Sequence, residues 1–137
     1  MTNLDLIYPE IFISLSILFL LVLGVFKKKS ENLIYNLSIL TLIAVIILIF
    51  NHPIETKVSL FNSSYTIDYM SSFMKILTML TALFVLISSS KYLKILNILQ
   101  IEYSILILCS ILGMMVMISS NDLMVFYIGL ELQSLAL

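Results

Sequence analysis

One carboxyl dominates the chemistry that this sequence could carry. Glu131 lies eight residues past Leu123 in an otherwise apolar stretch. In a helix rising 1.5 Å per residue, that places it about 12 Å along, near the midplane of a bilayer. An ionisable group at that depth costs at least ~3 kcal/mol and by default marks a functional site. The low dielectric favours the neutral acid and a nearby cation favours the carboxylate. A group held between those two pulls can load and release protons. The competing reading is a structural carboxyl bonded to a neighbouring helix, with Gln133 and Ser134 taking part.

The other polar residues offer weaker chemistry. Lys75 follows Tyr69 by six residues, close enough to its helix start for the long stem to snorkel to the interface. Glu102 and Tyr103 suit an interfacial anchor. His52, before Pro53, suits a cap or an interface better than a metal. Cys109, the single cysteine, has no internal disulfide partner and reads as a small packing residue. Met114, Met115 and Met117 read as adaptable packing, and Gly113 as a point of close helix approach. Phosphate loops, dinucleotide fingerprints, metal-spaced Cys or His clusters and nucleophile elbows are all missing from the sequence.

The elements that must position Glu131 follow from composition. Of the 137 residues, 61% are hydrophobic and 11% charged, outside the range of soluble domains. A net charge of −1, with scattered lysines and no arginine, argues against a nucleic-acid partner. The apolar residues fall in runs long enough to cross a bilayer. Five spans are predicted, at 6–26, 33–50, 69–90, 103–120 and 122–137, giving an all-α, multi-pass membrane bundle. Pro9 and Glu10 suit the first turn of the first span, and Ser88-Ser89-Ser90-Lys91 closes the third. Asn121-Asp122 forms a turn and an N-cap. The polar loop 51–68 alternates in the manner of a short extended or hairpin-like segment.

No secretory signal fits residues 1–10, so the first apolar run is expected to remain as a helix. Five of the seven lysines (Lys27, Lys28, Lys29, Lys91, Lys94) fall in two loops. The positive-inside rule puts these on the cytoplasmic or matrix side, with the N-terminus opposite. The fifth span has no polar stop after Glu131. Fifteen residues reach only about 22 Å, so the sequence is expected to be continued by another polypeptide or to be a fragment. Glu131 also lacks a deep cation within the chain. The bias towards Ile, Leu, Phe, Asn, Tyr and Lys resembles AT-rich coding and suits an organelle.

Residues 102–137 combine a Glu102-Tyr103 entry, a Gly113-Met114-Met115 centre, a Ser120-Asn121-Asp122-Leu123 turn and a final Leu130-Glu131-Leu132-Gln133-Ser134-Leu135-Ala136-Leu137 helix. This combination resembles the proton-antiporter-like membrane subunits of respiratory complex I, and within them the subunit 2 family of NADH dehydrogenase (ubiquinone). Pro9-Glu10 and the 68–77 entry into the third span support it more loosely.

The resemblance implies that Glu131 is the family's fifth-helix glutamate, which pairs with a lysine on helix seven in redox-driven proton translocation. It also implies the N-terminal part of a 14-helix fold. No cofactor is expected in this chain, since NADH, FMN, iron–sulfur clusters and ubiquinone bind elsewhere in the complex. The implied partners are other complex I membrane subunits, including a chain that completes the helices of a split subunit, in the mitochondrial inner membrane with the N-terminus facing the intermembrane space. The alternatives are a sister complex I or cation/proton antiporter subunit and, from another class, a structural membrane subunit without proton chemistry.

Overall fold

The computed structural model describes residues 7–26, 31–51, 58–61, 63–95 and 101–137. His52, the 27–29 lysines, Lys57 and the side chains of Lys91 and Lys94 fall outside the described set, so the expectations that rest on them, including the charge-based orientation, do too. The described chain forms α1 (Tyr8–Phe26), α2 (Glu31–Asn51), β1 (Val58–Leu60), β2 (Tyr65–Ile67), α3 (Tyr69–Ile95), α4 (Ile101–Ser119) and α5 (Leu123–Ala136). The first three long helices and α4 are each apolar and long enough to cross a membrane, and α5 is a shorter apolar helix of 14 residues.

These runs become helices because, in lipid, a helix is the one open-chain arrangement that satisfies every backbone group within its own segment. Several of their hydroxyls are satisfied in the same way. Ser16, Ser38, Thr41, Thr78 and Thr81 each donate to the carbonyl three residues earlier at 2.7–2.8 Å, which removes the cost of burying an unpaired hydroxyl. The same bonding explains why α3 does not close at its serine triplet. Ser89 donates to the Leu86 carbonyl and Ser90 to that of Ile87, and the helix continues to Ile95. The start of α3 is a reciprocal capping box. Ser71 N donates to Asp68 Oδ1 and Asp68 N donates to Ser71 Oγ, both at 2.9 Å, so two otherwise orphan amides are satisfied together.

The hub is α4, which touches each of the other four helices. Ile13, Leu20, Leu42, Met79, Leu108 and Met115 are at most 1% exposed and form the core between α1, α2, α3 and α4. A Tyr35 hydroxyl bond to the Leu86 carbonyl ties α2 to α3 inside it. The outward faces carry exposed Leu15, Leu18, Val22 and Phe84, the opposite of a soluble surface and the arrangement lipid requires.

Against α4, α5 packs through glycine. A Cβ added at Gly113 would lie 2.8 Å from both Gln133 N and Gly129 O, and one at Gly129 would lie 3.0 Å from Gly113 O. Backbone meets backbone, the close approach predicted for Gly113. Met115 is buried in the core and Met117 fills the space over Gly129.

The strands β1 and β2 pair antiparallel as a hairpin, with Val58 opposite Ile67 and Leu60 opposite Tyr65. Phe61 and Ser63, at its tip, have positive φ angles of 51° and 70°. The hairpin lies over the end of α4. Tyr65 bridges to Ser120, Asn121 N donates to Ser64 O at 2.9 Å, and Asn121 Nδ2 donates to Ser63 O at 2.8 Å. Asp122 takes the N-cap conformation of α5 (φ −124°, ψ 142°) without a side-chain cap bond. Its contribution there is reduced to its charge near the positive end of the dipole.

Candidate functional site

Two polar sites emerge, at different depths. The first lies where α1 and α3 begin and α4 ends, beneath the hairpin. Lys75 does not snorkel. It is 3% exposed and its Nζ lies 2.6 Å from Glu10 Oε1. The first turn of α1 places Glu10 inward, 7% exposed, so its carboxylate is an acceptor closer than bulk water. Tyr65, at the end of β1's partner strand, donates its hydroxyl to the same Glu10 Oε1 at 2.8 Å. It also accepts from Lys75 Nζ at 3.4 Å, and the ammonium stands 5.4 Å from its ring centroid. Burial first, then the Glu10 carboxylate, push the Tyr65 phenol well above its ordinary range.

This cluster corrects the expectation for Lys75 and enlarges that for Glu10, which was read only as a dipole partner. The available signal was the position of both residues within the first two turns of helices that start on the same side. Sequence spacing alone could not show that the two helices face each other there.

The second site is Glu131. Midway along α5, it is partly buried and sits on the wall of an apolar groove of about 470 Å³ between α4 and α5. Leu106, Cys109, Ile128, Leu132 and Leu135 line that groove. Tyr127, one turn earlier, places its hydroxyl beside the Glu131 carboxyl. The residues expected to share a structural role with it do not reach it. Ser134 bonds the Glu131 backbone carbonyl at 3.0 Å, and the Gln133 backbone packs on Gly113. Lys75 is the one lysine whose side chain is described, and it is committed to Glu10. Chemically, the site is a carboxyl on a rigid helix facing an apolar groove, with no cation beside it among the described residues. Glu102 is exposed at the start of α4, Tyr103 half-buried, and Cys109 a free thiol in the groove wall. No group of three or more potential metal ligands exists among the described residues.

No protein-family model matches the chain. Curated relatives do. All 137 residues align, 66% identical, with NADH-quinone oxidoreductase subunit N of Pelagibacter ubique (strain HTCC1062), covering 100% of this chain and 29% of that protein. The protein of the same name from Bartonella bacilliformis is 43% identical over 136 residues, 98% of this chain and 28% of that one. The one from Paramagnetospirillum magneticum is 41% identical over 138 residues, with the same shares. The chain thus spans less than a third of the length of these relatives, at their N-terminal end. With the whole chain aligned at this identity, it belongs to the NADH-quinone oxidoreductase subunit N family.

Proposed function

We propose that this chain forms the N-terminal helices of a proton-translocating subunit of an NADH-quinone oxidoreductase, with Glu131 as a proton-carrying carboxyl. The observation that carries this is the placement of Glu131. It sits half-way along a helix held rigidly by Gly113 and Gly129, and it faces a groove that no described element fills. A structural carboxyl would be expected to bond a neighbouring helix, whereas among the described residues the hydroxyl beside this one is that of Tyr127, on the same helix. Since Lys75 is committed to Glu10, the cation that would set the charge of Glu131 comes from a segment beyond the described residues. The longer relatives have such further chain.

In this role Glu131 accepts a proton when its cation is withdrawn and releases it when the cation returns, because the ionised form is stable at that depth only beside an opposite charge. Redox chemistry and its cofactors reside in other subunits, and this chain's part is proton movement. The membrane is an energy-transducing one. AT-rich coding suggests an organelle, with the N-terminus towards the intermembrane space. The bacterial relatives favour a bacterial inner membrane, with the N-terminus on its outer side.

The test is Glu131→Gln in the assembled complex. Proton translocation per electron is expected to fall severalfold or more, with quinone reduction and assembly retained. Unchanged translocation in an assembled variant would leave a structural subunit as the correct reading.

A further inference from the structure

A phenol serves a carboxyl at both polar sites. Under the hairpin, Tyr65 donates to Glu10 Oε1, Ser119 hydrogen-bonds the Tyr65 hydroxyl, and the Lys75 ammonium lies 2.6 Å from the same Glu10 oxygen. That carboxylate has a phenol and a cation together, brought by other elements. On α5 the Tyr127 hydroxyl hydrogen-bonds the Glu131 carboxyl, and no cation stands beside the pair among the described residues.

The pairing on α5 is built into the helix. Residues four apart lie on one face. Long helical side chains lean towards the N-terminus, so Glu131 leans over the turn that carries Tyr127. Both side chains line the same groove of about 470 Å³. Tyr127 is 60% exposed there, so its ring is not wedged into the α4–α5 contact, which Gly113, Gly129 and Met117 make. From α4 the groove wall offers Leu106 and Cys109, and a thiol is only a weak donor.

The phenol suits a carboxyl that changes charge. An ordinary phenol keeps its proton up to about pH 10, so it does not compete for the proton that Glu131 carries. It can donate to the carboxylate and equally to the carbonyl oxygen of the neutral acid. Its bond to the ionised form is roughly twice as strong as its bond to the neutral one. That difference matters in the interval between withdrawal of the cation and arrival of the proton, when the carboxylate stands without an opposite charge.

We propose that Tyr127 is a positioning residue for proton exchange at Glu131, its hydroxyl holding the carboxyl in the groove and supporting the carboxylate while no cation is beside it. The inference rests on the proton-carrying role of Glu131.

The test compares Tyr127→Phe with Glu131→Gln in the assembled complex. Tyr127→Phe removes one oxygen and keeps the ring, so assembly and quinone reduction are expected to be retained. The C=O stretch of the protonated Glu131 carboxyl is identified in infrared spectra, taken across a pH titration, by its loss in Glu131→Gln. It is expected to move to higher wavenumber in Tyr127→Phe, as a carbonyl does on losing a hydrogen bond. A ring that merely packs would leave that band in place. Proton translocation per electron is expected to fall in Tyr127→Phe, by less than in Glu131→Gln. An unmoved band or unchanged translocation in Tyr127→Phe, beside a Glu131→Gln variant that has lost translocation, overturns the role of Tyr127 alone. A Glu131→Gln variant that still translocates protons removes the reading beneath it. A density map of the wild-type assembly checks the contact without any variant. Tyr127 Oη is expected about 2.5–3.0 Å from a Glu131 carboxyl oxygen, and a phenol turned away from Glu131 overturns the proposal.

Discussion

Lys75 had enough stem to reach the membrane surface, and instead it turns inward to a carboxylate 2.6 Å away. Two oppositely charged groups buried together are each costly alone, so the pair is worth most when one member is removed. Lys75→Met alone is expected to lower stability by about 3–5 kcal/mol, because Glu10 is left buried and uncompensated. Adding Glu10→Gln to it should recover most of that loss. Denaturation of the purified chain in detergent, run as a double-mutant cycle, checks both statements. If the double variant is as unstable as the sum of the singles, the pair is not coupled. Tyr65 carries a pH signature. Its phenol is neutral in the native state and held above the ordinary value near 10. The stability it contributes is therefore complete below that value and is lost as pH rises beyond about 10. The denaturation midpoint of the wild type should fall more steeply above pH 10 than that of Tyr65→Phe. At neutral pH, Tyr65→Phe should cost about 2 kcal/mol, the range for a hydrogen bond to a charged group.

At the scale of elements, the α4–α5 contact is the joint on which the proposed site depends. The atoms that a Gly113 side chain would meet are backbone atoms of α5 at 2.8 Å, which cannot rotate away as a flexible side chain can. Gly113→Ala is expected to separate the helices and cost about 1–3 kcal/mol, and Gly113→Val to cost more. A spin-label distance across the pair should lengthen in step, and an unchanged distance would show that the contact is looser than described. The glycine and the hairpin alternation were legible from sequence because each has a local cause. The end of α3 was not. A serine triplet followed by lysine looks like a stop, yet the last two of its hydroxyls, on Ser89 and Ser90, bond within the helix and so weaken the reason to end it.

For the whole molecule, exposed apolar surface has two meanings that sequence cannot separate. Leu18 on α1 is 59% exposed and Ile128 on α5 is 54% exposed. The first belongs to an outward face suited to lipid, and the second lines the groove beside Glu131. A photo-crosslinker placed at position 128 in the assembled complex is expected to capture another polypeptide segment of that complex, and one at position 18 to capture lipid. Lipid capture at 128 would remove the case for a cation delivered through the groove. The sequence by itself determined the all-α membrane class, since apolar runs of this length leave the backbone no other way to satisfy its hydrogen bonds. It also singled out Glu131 by depth alone, because rise per residue needs no tertiary information. What only the tertiary structure decided is which polar groups meet. Glu10, Tyr65, Lys75 and Ser119 come from four separate elements, and Lys75 is drawn to Glu10. That pairing depends on how α1, the hairpin, α3 and α4 pack at one end of the bundle, a relation that no local spacing in the sequence encodes.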